Sequence, residues 1–270
     1  MGLVDWDADF VEFFYTRILA SFDLPVTFGG SGVTTRDGMS AEHSANNMAR
    51  WIIAAMKPKK EDCTVTFLLE KLLLAVESYF YPTNTSNASQ GLHSFVSELA
   101  NAYVDRIHEE RYDKKRPTLI PVKLRMTDGD IKHFVTIMKP VTMHILFGVY
   151  EEDKKHIFNC LGSLCPEVII PSLLEEFRLA ADSLTEPHRF PACVSALSAL
   201  SRTLVEEYPE EIVGILMTLL PGLDLNDMSK CIQNFELLSA LLDMIWLVDF
   251  SNPQSHASSP SAKDARVRLT

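Results

Sequence analysis

The sequence is poor in helix-breaking residues and in long apolar runs. Of its 270 residues only 11 are glycine and 14 are proline, which favours helices separated by proline-marked turns. Nowhere do about 18 apolar residues follow one another, so we expect no membrane-spanning helix and no membrane partner. The five cysteines are odd in number and scattered, which predicts reduced, mostly buried thiols.

Positive charge is also scarce. The chain carries 25 Lys and Arg against 36 Asp and Glu, a formal charge of −11. Because phosphate contacts need clustered lysines and arginines, we expect no direct nucleic-acid partner. A hydrophobic content of 47% predicts a globular chain. The first residues are acidic and aromatic rather than basic and then apolar, so we expect no secretory leader.

Helical periodicity runs through residues 1–105. It predicts helices over 7–22, 40–56 and 62–80, the last apolar nearly all round and therefore buried on several sides. The first helix is expected to bury a face that includes Phe10, Phe14 and Ile18. A further helical stripe comprises Leu92, Phe95, Leu99 and Tyr103.

A charged linker is predicted over 106–126, followed by more helices over 127–249. Thr127 and Asp130 have the spacing of a capping box, with Asp in place of the usual Glu. The helix that starts there is expected to bury Ile131, Val135, Met138, Thr142 and Ile145. After residue 250 the chain is rich in Ser, Pro and Ala, which predicts a disordered tail over 250–270.

The second half contains an internal repeat. Pro166-Glu-Val-Ile-Ile170 recurs 43 residues later as Pro209-Glu-Glu-Ile-Val213, and proline followed by glutamate suits the first turn of a helix. A helix–turn–helix unit of this length is typical of HEAT and armadillo repeats. The pattern predicts helix pairs at 166–181 with 186–207 and at 209–220 with 225–249. Their second helices carry two apolar stripes: Cys193, Leu197, Leu200 and Leu204, then Met228, Ile232, Phe235, Leu238, Leu242 and Ile245.

No motif predicts catalysis or a bound metal. His108-Glu-Glu-Arg-Tyr112 begins like a zinc-protease helix, but tyrosine stands where the second histidine ligand is needed. No serine lies in a nucleophile-elbow pattern. We therefore expect no enzymatic activity, no metal and no cofactor.

One basic cluster stands out in this acidic chain. It comprises Arg106, Arg111, Lys114, Lys115 and Arg116. Such a run is expected either to contact an anion or an acidic partner, with an inositol phosphate as one candidate, or to be a solvated connector between helices.

Several segments, in order along residues 3–250, resemble one family. They are Val4-Asp-Trp-Asp7, Thr16-Arg-Ile-Leu19, Leu24-Pro-Val26, His108-Glu-Glu-Arg-Tyr112, Pro166-Glu-Val-Ile-Ile-Pro171, Leu184-Thr-Glu-Pro-His188, Leu220-Pro-Gly-Leu-Asp224, Asn226-Asp227 and Ser229-Lys-Cys231. This series resembles the family of large, single-chain, ATP-independent proteasome activators of the Blm type. The similar stretch lies near the start of the middle HEAT region of a family chain several times longer.

The resemblance implies an all-α fold, an α-solenoid of HEAT- or armadillo-like repeats, in a non-catalytic protein. It implies binding to the end of the proteasome core particle and ubiquitin-independent degradation of peptides and of unfolded or acetylated proteins. It further implies a location in nucleus and cytoplasm, with links to DNA repair and spermatogenesis. The family's C-terminal tail ends in a hydrophobic-Tyr-X pattern, whereas the last residues of this sequence are Arg266-Val-Arg-Leu-Thr270. The alternative is a HEAT-repeat scaffold, such as a nuclear-transport-receptor-like protein.

Overall fold

The computed structural model describes residues 8–21, 41–81, 87–112, 120–148, 150–182, 188–223 and 227–245. Within these ranges the chain is helical and has no strand, which confirms the all-α prediction. The helices are α1 (Ala8–Ser21), α2 (Ala41–Ala55), α3 (Thr64–Val76), α4 (Asn87–Arg111), α5 (Asp128–Ile145), α6 (Glu151–Leu164), α7 (Pro166–Asp182), α8 (Arg189–Ala199), α9 (Ser201–Glu207), α10 (Pro209–Leu219) and α11 (Met228–Leu242).

The chain divides into two compact units, residues 1–169 and 170–270. In unit 1, α4 packs between α2 and α6, α5 packs on α6 and α3, and α1 packs on α3. The stripe predicted on α4 is buried throughout, at Leu92, Phe95, Leu99 and Tyr103. The long helix α4 is therefore the centre of unit 1.

The start of α5 is fixed by its own side chains. The Oγ1 of Thr127 accepts a hydrogen bond from the backbone N–H of Asp130, and Asp130 Oδ2 accepts one from the N–H of Thr127. This confirms the predicted capping box, because both members satisfy backbone donors at the helix start. The five residues predicted to line the core side of α5 are all buried.

Two predicted apolar faces in unit 1 are corrected. On α1 the buried residues are Val11, Tyr15 and Ile18, while Phe10 is exposed. On α3 the prediction of burial on several sides is wrong, because Phe67 and Leu74 are exposed. Both helices have apolar residues on more than one face, and their neighbours in the described part of the chain cover only one.

Most of the repeated segment lies in unit 2, although the first of its helices, α7, begins at Pro166 in unit 1. Both prolines of the repeat stand at the first residue of a helix, α7 and α10. The last part of α7 contacts the start of α8 through two side-chain pairs: the Phe177 and Phe190 ring centroids lie 5.4 Å apart, and Arg189 Nη2 lies 2.9 Å from Glu176 Oε2. The partner predicted over 186–207 is broken at Leu200 into α8 and α9. Helix α11 packs on both of them and on α10.

The two predicted stripes of unit 2 have different outcomes. All four residues of the first stripe are buried, as predicted. In the second, Leu238 and Ile245 are buried, but Met228, Ile232, Phe235 and Leu242 are exposed. The buried face of α11 is shifted by about one residue from the predicted face. It consists of Cys231, Asn234, Leu237, Leu238 and Leu241. The exposed four leave an apolar surface on α11.

Candidate functional site

The predicted basic cluster falls at the end of α4 and beyond it. Arg106 and Arg111 belong to α4, so helix continues into the segment predicted as a linker. Lys114, Lys115 and Arg116 lie outside the described residues. The structure therefore gives a geometry for two of the five predicted residues.

Arg106 is a core residue. Its side chain is 1% exposed, and its Nε donates to Glu110 Oε1 over 2.7 Å. Its Nη1 donates to the carbonyl oxygens of Ile53 and Met56 over 2.6 and 2.7 Å, and its Nη2 to that of Leu124 over 3.3 Å. A buried charge is tolerated when it is paired and hydrogen-bonded in this way.

Glu110 extends the same network toward α5. Its second carboxylate oxygen, Oε2, accepts a hydrogen bond from the backbone N–H of Met126 over 2.8 Å. Arg106 and Glu110 together thus join the end of α2, the helix α4 and the segment that leads into α5. We call this pair with its backbone partners the Arg106–Glu110 network.

The prediction that Arg106 contacts an external anion is corrected. Four hydrogen bonds to Glu110 and to backbone carbonyls occupy its guanidinium, and its burial leaves no surface for a ligand. The sequence did carry one signal, the spacing of four residues between Arg106 and Glu110, which puts both on one helix face. A spacing of four residues places the two side chains next to each other but does not indicate whether that face of the helix is buried.

Arg111 is partly exposed and already has an acidic partner. Its Nη2 lies 2.7 Å from Asp128 Oδ1 and 3.5 Å from the carbonyl oxygen of Met126. Asp128 is the first residue of α5, where a carboxylate is also favoured by the helix dipole. Arg111 thus forms an ion pair that joins the end of α4 to the start of α5.

The cysteines and histidines form no metal cluster in the part of the chain that the structure describes. Cys160 and Cys165 are buried, as predicted for core thiols. Burial raises the pKa of Cys160 to about 12 and, with a hydrogen bond to Glu167, that of Cys165 to about 11. Neither thiol is thus a nucleophile near neutral pH.

A buried histidine in unit 1 was not singled out by the sequence. The Nδ1–H of His93 donates to the carbonyl oxygen of Ser89 over 2.8 Å, and its ring packs between Phe80 and Tyr150. Burial lowers the pKa of His93, against the opposing effects of the Ser89 bond and of Asp153. The imidazole is therefore neutral in the folded protein near pH 7.

No described helix is both long enough and apolar enough to cross a lipid bilayer. Exposed apolar side chains instead lie on α10 and α11, at Met217, Met228, Ile232 and Phe235. Apolar surface that remains open on one side is typical of helical repeats, which bury it between successive units.

The comparisons with known proteins agree with this helical architecture. Residues 69–267 match the family described as "Proteasome activator complex subunit 4, mid HEAT repeats region". The chain is 32% identical over 263 residues to proteasome activator complex subunit 4 of Xenopus laevis, and equally to that of Homo sapiens. It is 20% identical over 286 residues to proteasome activator subunit 4 of Arabidopsis thaliana.

The alignments to the two vertebrate relatives cover 93% of this chain and 14% of each relative. The chain thus spans about one seventh of the length of the proteins it resembles. The family match confirms the prediction of HEAT-type helical repeats, an all-α solenoid. The chain belongs to the proteasome activator complex subunit 4 family, within its middle HEAT-repeat region.

Proposed function

We propose that this chain is a non-catalytic segment of a proteasome activator that binds the end of the proteasome core particle. The observation that carries the proposal is the family match over residues 69–267, together with relatives that are named proteasome activator subunits. HEAT repeats are binding architectures whose extended surfaces recognise other proteins. This supports a role in contact with the core particle rather than in chemistry.

The proposed role in the cell follows from the same family membership. The activator promotes ubiquitin-independent degradation of peptides and of unfolded or acetylated proteins by the core particle. We place it in nucleus and cytoplasm, with a contribution to DNA repair and to spermatogenesis. Imaging of a fluorescent fusion before and after DNA damage tests the location, and exclusion from the nucleus under both conditions would contradict it.

The binding proposal is tested with the immobilised 270-residue chain. Purified core particles and a purified small GTPase are passed over it separately, because a nuclear-transport-receptor-like scaffold would retain the GTPase. We expect retention of core particles alone. Retention of the GTPase alone would favour the alternative scaffold function and overturn the proposal.

A matched control distinguishes specific binding by the folded chain from non-specific adsorption of unfolded chain. Leu200 is 1% exposed in the core of unit 2, so Leu200→Asp buries a charge and should unfold the unit. The Glu206→Gln variant changes an exposed residue of α9 and should leave the fold intact. Retention of core particles should be lost with the first variant and kept with the second.

A further inference from the structure

The exposed side of α11 carries a regular stripe of side chains. Met228, Ile232, Phe235, Ser239 and Leu242 follow one another at alternating intervals of four and three residues, and all five are exposed. This alternation keeps residues on one helix face, and it is the pattern by which two helices pack lengthwise. The stripe runs the length of α11, about 21 Å at 1.5 Å per residue. It therefore matches a partner helix of about four turns.

A groove of about 580 Å³ lies along the middle of this stripe. It is lined by Ile232, Phe235, Glu236, Ser239, Ala240 and Asp243. Within the stripe, the small Ser239 stands one turn after Phe235 and one turn before Leu242. A small residue between larger ones leaves a gap that receives a large side chain of a neighbouring helix. We call this surface, with its six lining residues, the α11 groove.

Two of the residues that line the α11 groove are acidic. Glu236 and Asp243 are seven residues apart, so they lie on the same side of the helix. Both are exposed, and neither forms an ion pair within the described part of the chain. Asp243 is also the C-cap of α11, where the helix dipole adds partial negative charge. The groove therefore attracts a partner that carries basic side chains beside apolar ones.

The two faces of α11 differ in a way that indicates the kind of partner. The buried face contains no charged residue; it consists of Cys231, Asn234, Leu237, Leu238 and Leu241. The exposed face combines apolar residues with two carboxylates, which is typical of an interface between separate proteins. A second copy of this chain is a poor occupant, because it would bring Glu236 and Asp243 close to the same carboxylates and each chain carries a charge of −11.

We infer that the α11 groove is a docking site for an amphipathic helix of another protein, with lysine or arginine beside its apolar stripe. This partner is additional to the proteasome core particle. The apolar side chains of the helix pack between Phe235 and Leu242, and its basic side chains pair with Glu236 and Asp243. Recognition of this kind places the apolar face of a helix in a groove.

The test uses a fluorescently labelled synthetic peptide of about 16 residues, enough for four helical turns. It has leucines at alternating intervals of four and three residues and lysines beside them. One control peptide has the same composition in scrambled order, and the other has glutamate in place of lysine. Fluorescence anisotropy measures binding to the purified 270-residue chain. We expect binding of the first peptide alone, and equal binding of the scrambled peptide would overturn the proposal.

An apolar contact in the groove is tested with two matched variants. Phe235→Ala removes a ring that lines the α11 groove, so the lysine peptide should bind about tenfold more weakly or less. Phe67→Ala removes a comparably exposed ring from α3 in unit 1 and should leave the affinity unchanged. An unchanged affinity in the Phe235 variant, or an equal loss in both variants, would overturn the proposal.

The role of the acidic residues is tested by charge reversal. Glu236→Lys should weaken binding of the lysine peptide and permit binding of the glutamate peptide, because the sign of the charge at the groove changes. Glu70→Lys makes the same change at an exposed residue of α3 and should have neither effect. Circular dichroism verifies the folding of each variant. A dimer of the unliganded chain that Phe235→Ala dissociates in sedimentation would assign this face to a second copy and overturn the proposal.

Discussion

Each unit of the chain contains an Arg–Glu pair four residues apart on one helix, and the two pairs have opposite surroundings. In unit 1, the Arg106 and Glu110 side chains are each 1% exposed. In unit 2, Arg202 Nε lies 3.0 Å from Glu206 Oε1, with the two side chains 80% and 54% exposed. The local sequence signal is the same, so the difference comes entirely from what packs around each helix.

The comparison extends to the two cores. Among the described residues, unit 1 buries charged or titratable side chains at His93, Arg106, Glu110 and Lys154, while the buried polar residues of unit 2 are Ser195, Ser201 and Asn234. The core of unit 2 is thus mainly apolar, with α11 packed on α8, α9 and α10. Unit 1 depends in addition on polar networks that have no period in the sequence.

The largest loss of unfolding free energy is expected from a substitution that breaks the buried Arg106–Glu110 pair. Glu110→Ala leaves Arg106 without its carboxylate and the Met126 N–H without its acceptor, so we expect a loss of about 3–5 kcal/mol in unfolding free energy. The matched change in the exposed pair, Glu206→Ala, should cost no more than about 0.5 kcal/mol. Urea unfolding of both variants measures the contrast. Equal costs would show that Arg106 and Glu110 are not buried as a pair.

The next largest loss of unfolding free energy is expected when a side chain in the apolar core of unit 2 is truncated. Leu200 and Leu238 are 1% and 6% exposed, and truncation of either to alanine should cost about 2–5 kcal/mol if the cavity does not collapse. The exposed Phe235 serves as the control, since Phe235→Ala should have a much smaller effect. Thermal unfolding followed by circular dichroism gives all three values. A larger loss for Phe235 than for Leu238 would reverse the assignment of the covered face of α11.

The sequence predicted some features of the fold and of the candidate site and missed others. Pro166 and Pro209 predicted the starts of α7 and α10, because proline at the first helical position is a local signal. The capping box at Thr127 was equally predictable, since it depends on contacts within one turn. The burial of Arg106 was not, because its partners Ile53, Met56 and Leu124 are distant in sequence and offer backbone atoms that every residue has.

A smaller change in unfolding free energy is expected when pH changes the protonation of the polar core of unit 1. Burial lowers the pKa of His93, so as pH falls below about 6.5 the unfolded chain binds a proton before the folded one does. Unfolding free energy should therefore decrease as pH falls, until the pKa of the folded state is reached. Asp153, whose pKa is raised by burial, acts in the opposite direction in the more acidic carboxylate range.

Urea unfolding at pH values from about 7.5 to 5.5 brackets the ordinary histidine pKa and measures this dependence. The His93→Gln variant should show a weaker decrease over that range. The control is Thr136→Gln, a change at an exposed residue that does not titrate, which should keep the slope of the unchanged chain. A slope that is identical in the His93 variant would mean that this imidazole titrates equally in the folded and unfolded chains.

The smallest effect on stability is expected for the basic residues beyond α4. Lys114, Lys115 and Arg116 remain predicted anion contacts, and binding of inositol hexakisphosphate should weaken steeply as salt rises, because exposed charges are screened over about 8 Å near 0.15 M. Calorimetric titration measures the binding affinity of the unchanged chain and of the variant in which all three residues are changed to Glu. Unchanged affinity after the triple change would identify this segment as a solvated connector.

We propose above that this chain is a segment of a proteasome activator and that it contacts the core particle. The most direct test is chemical cross-linking of the purified chain with purified core particles, followed by mass spectrometry of the linked peptides. We expect links from lysines of this chain to subunits of the core particle's outer ring, and we expect the Leu200→Asp variant to lose them. Links confined to the chain itself, with none to the outer ring, would contradict it.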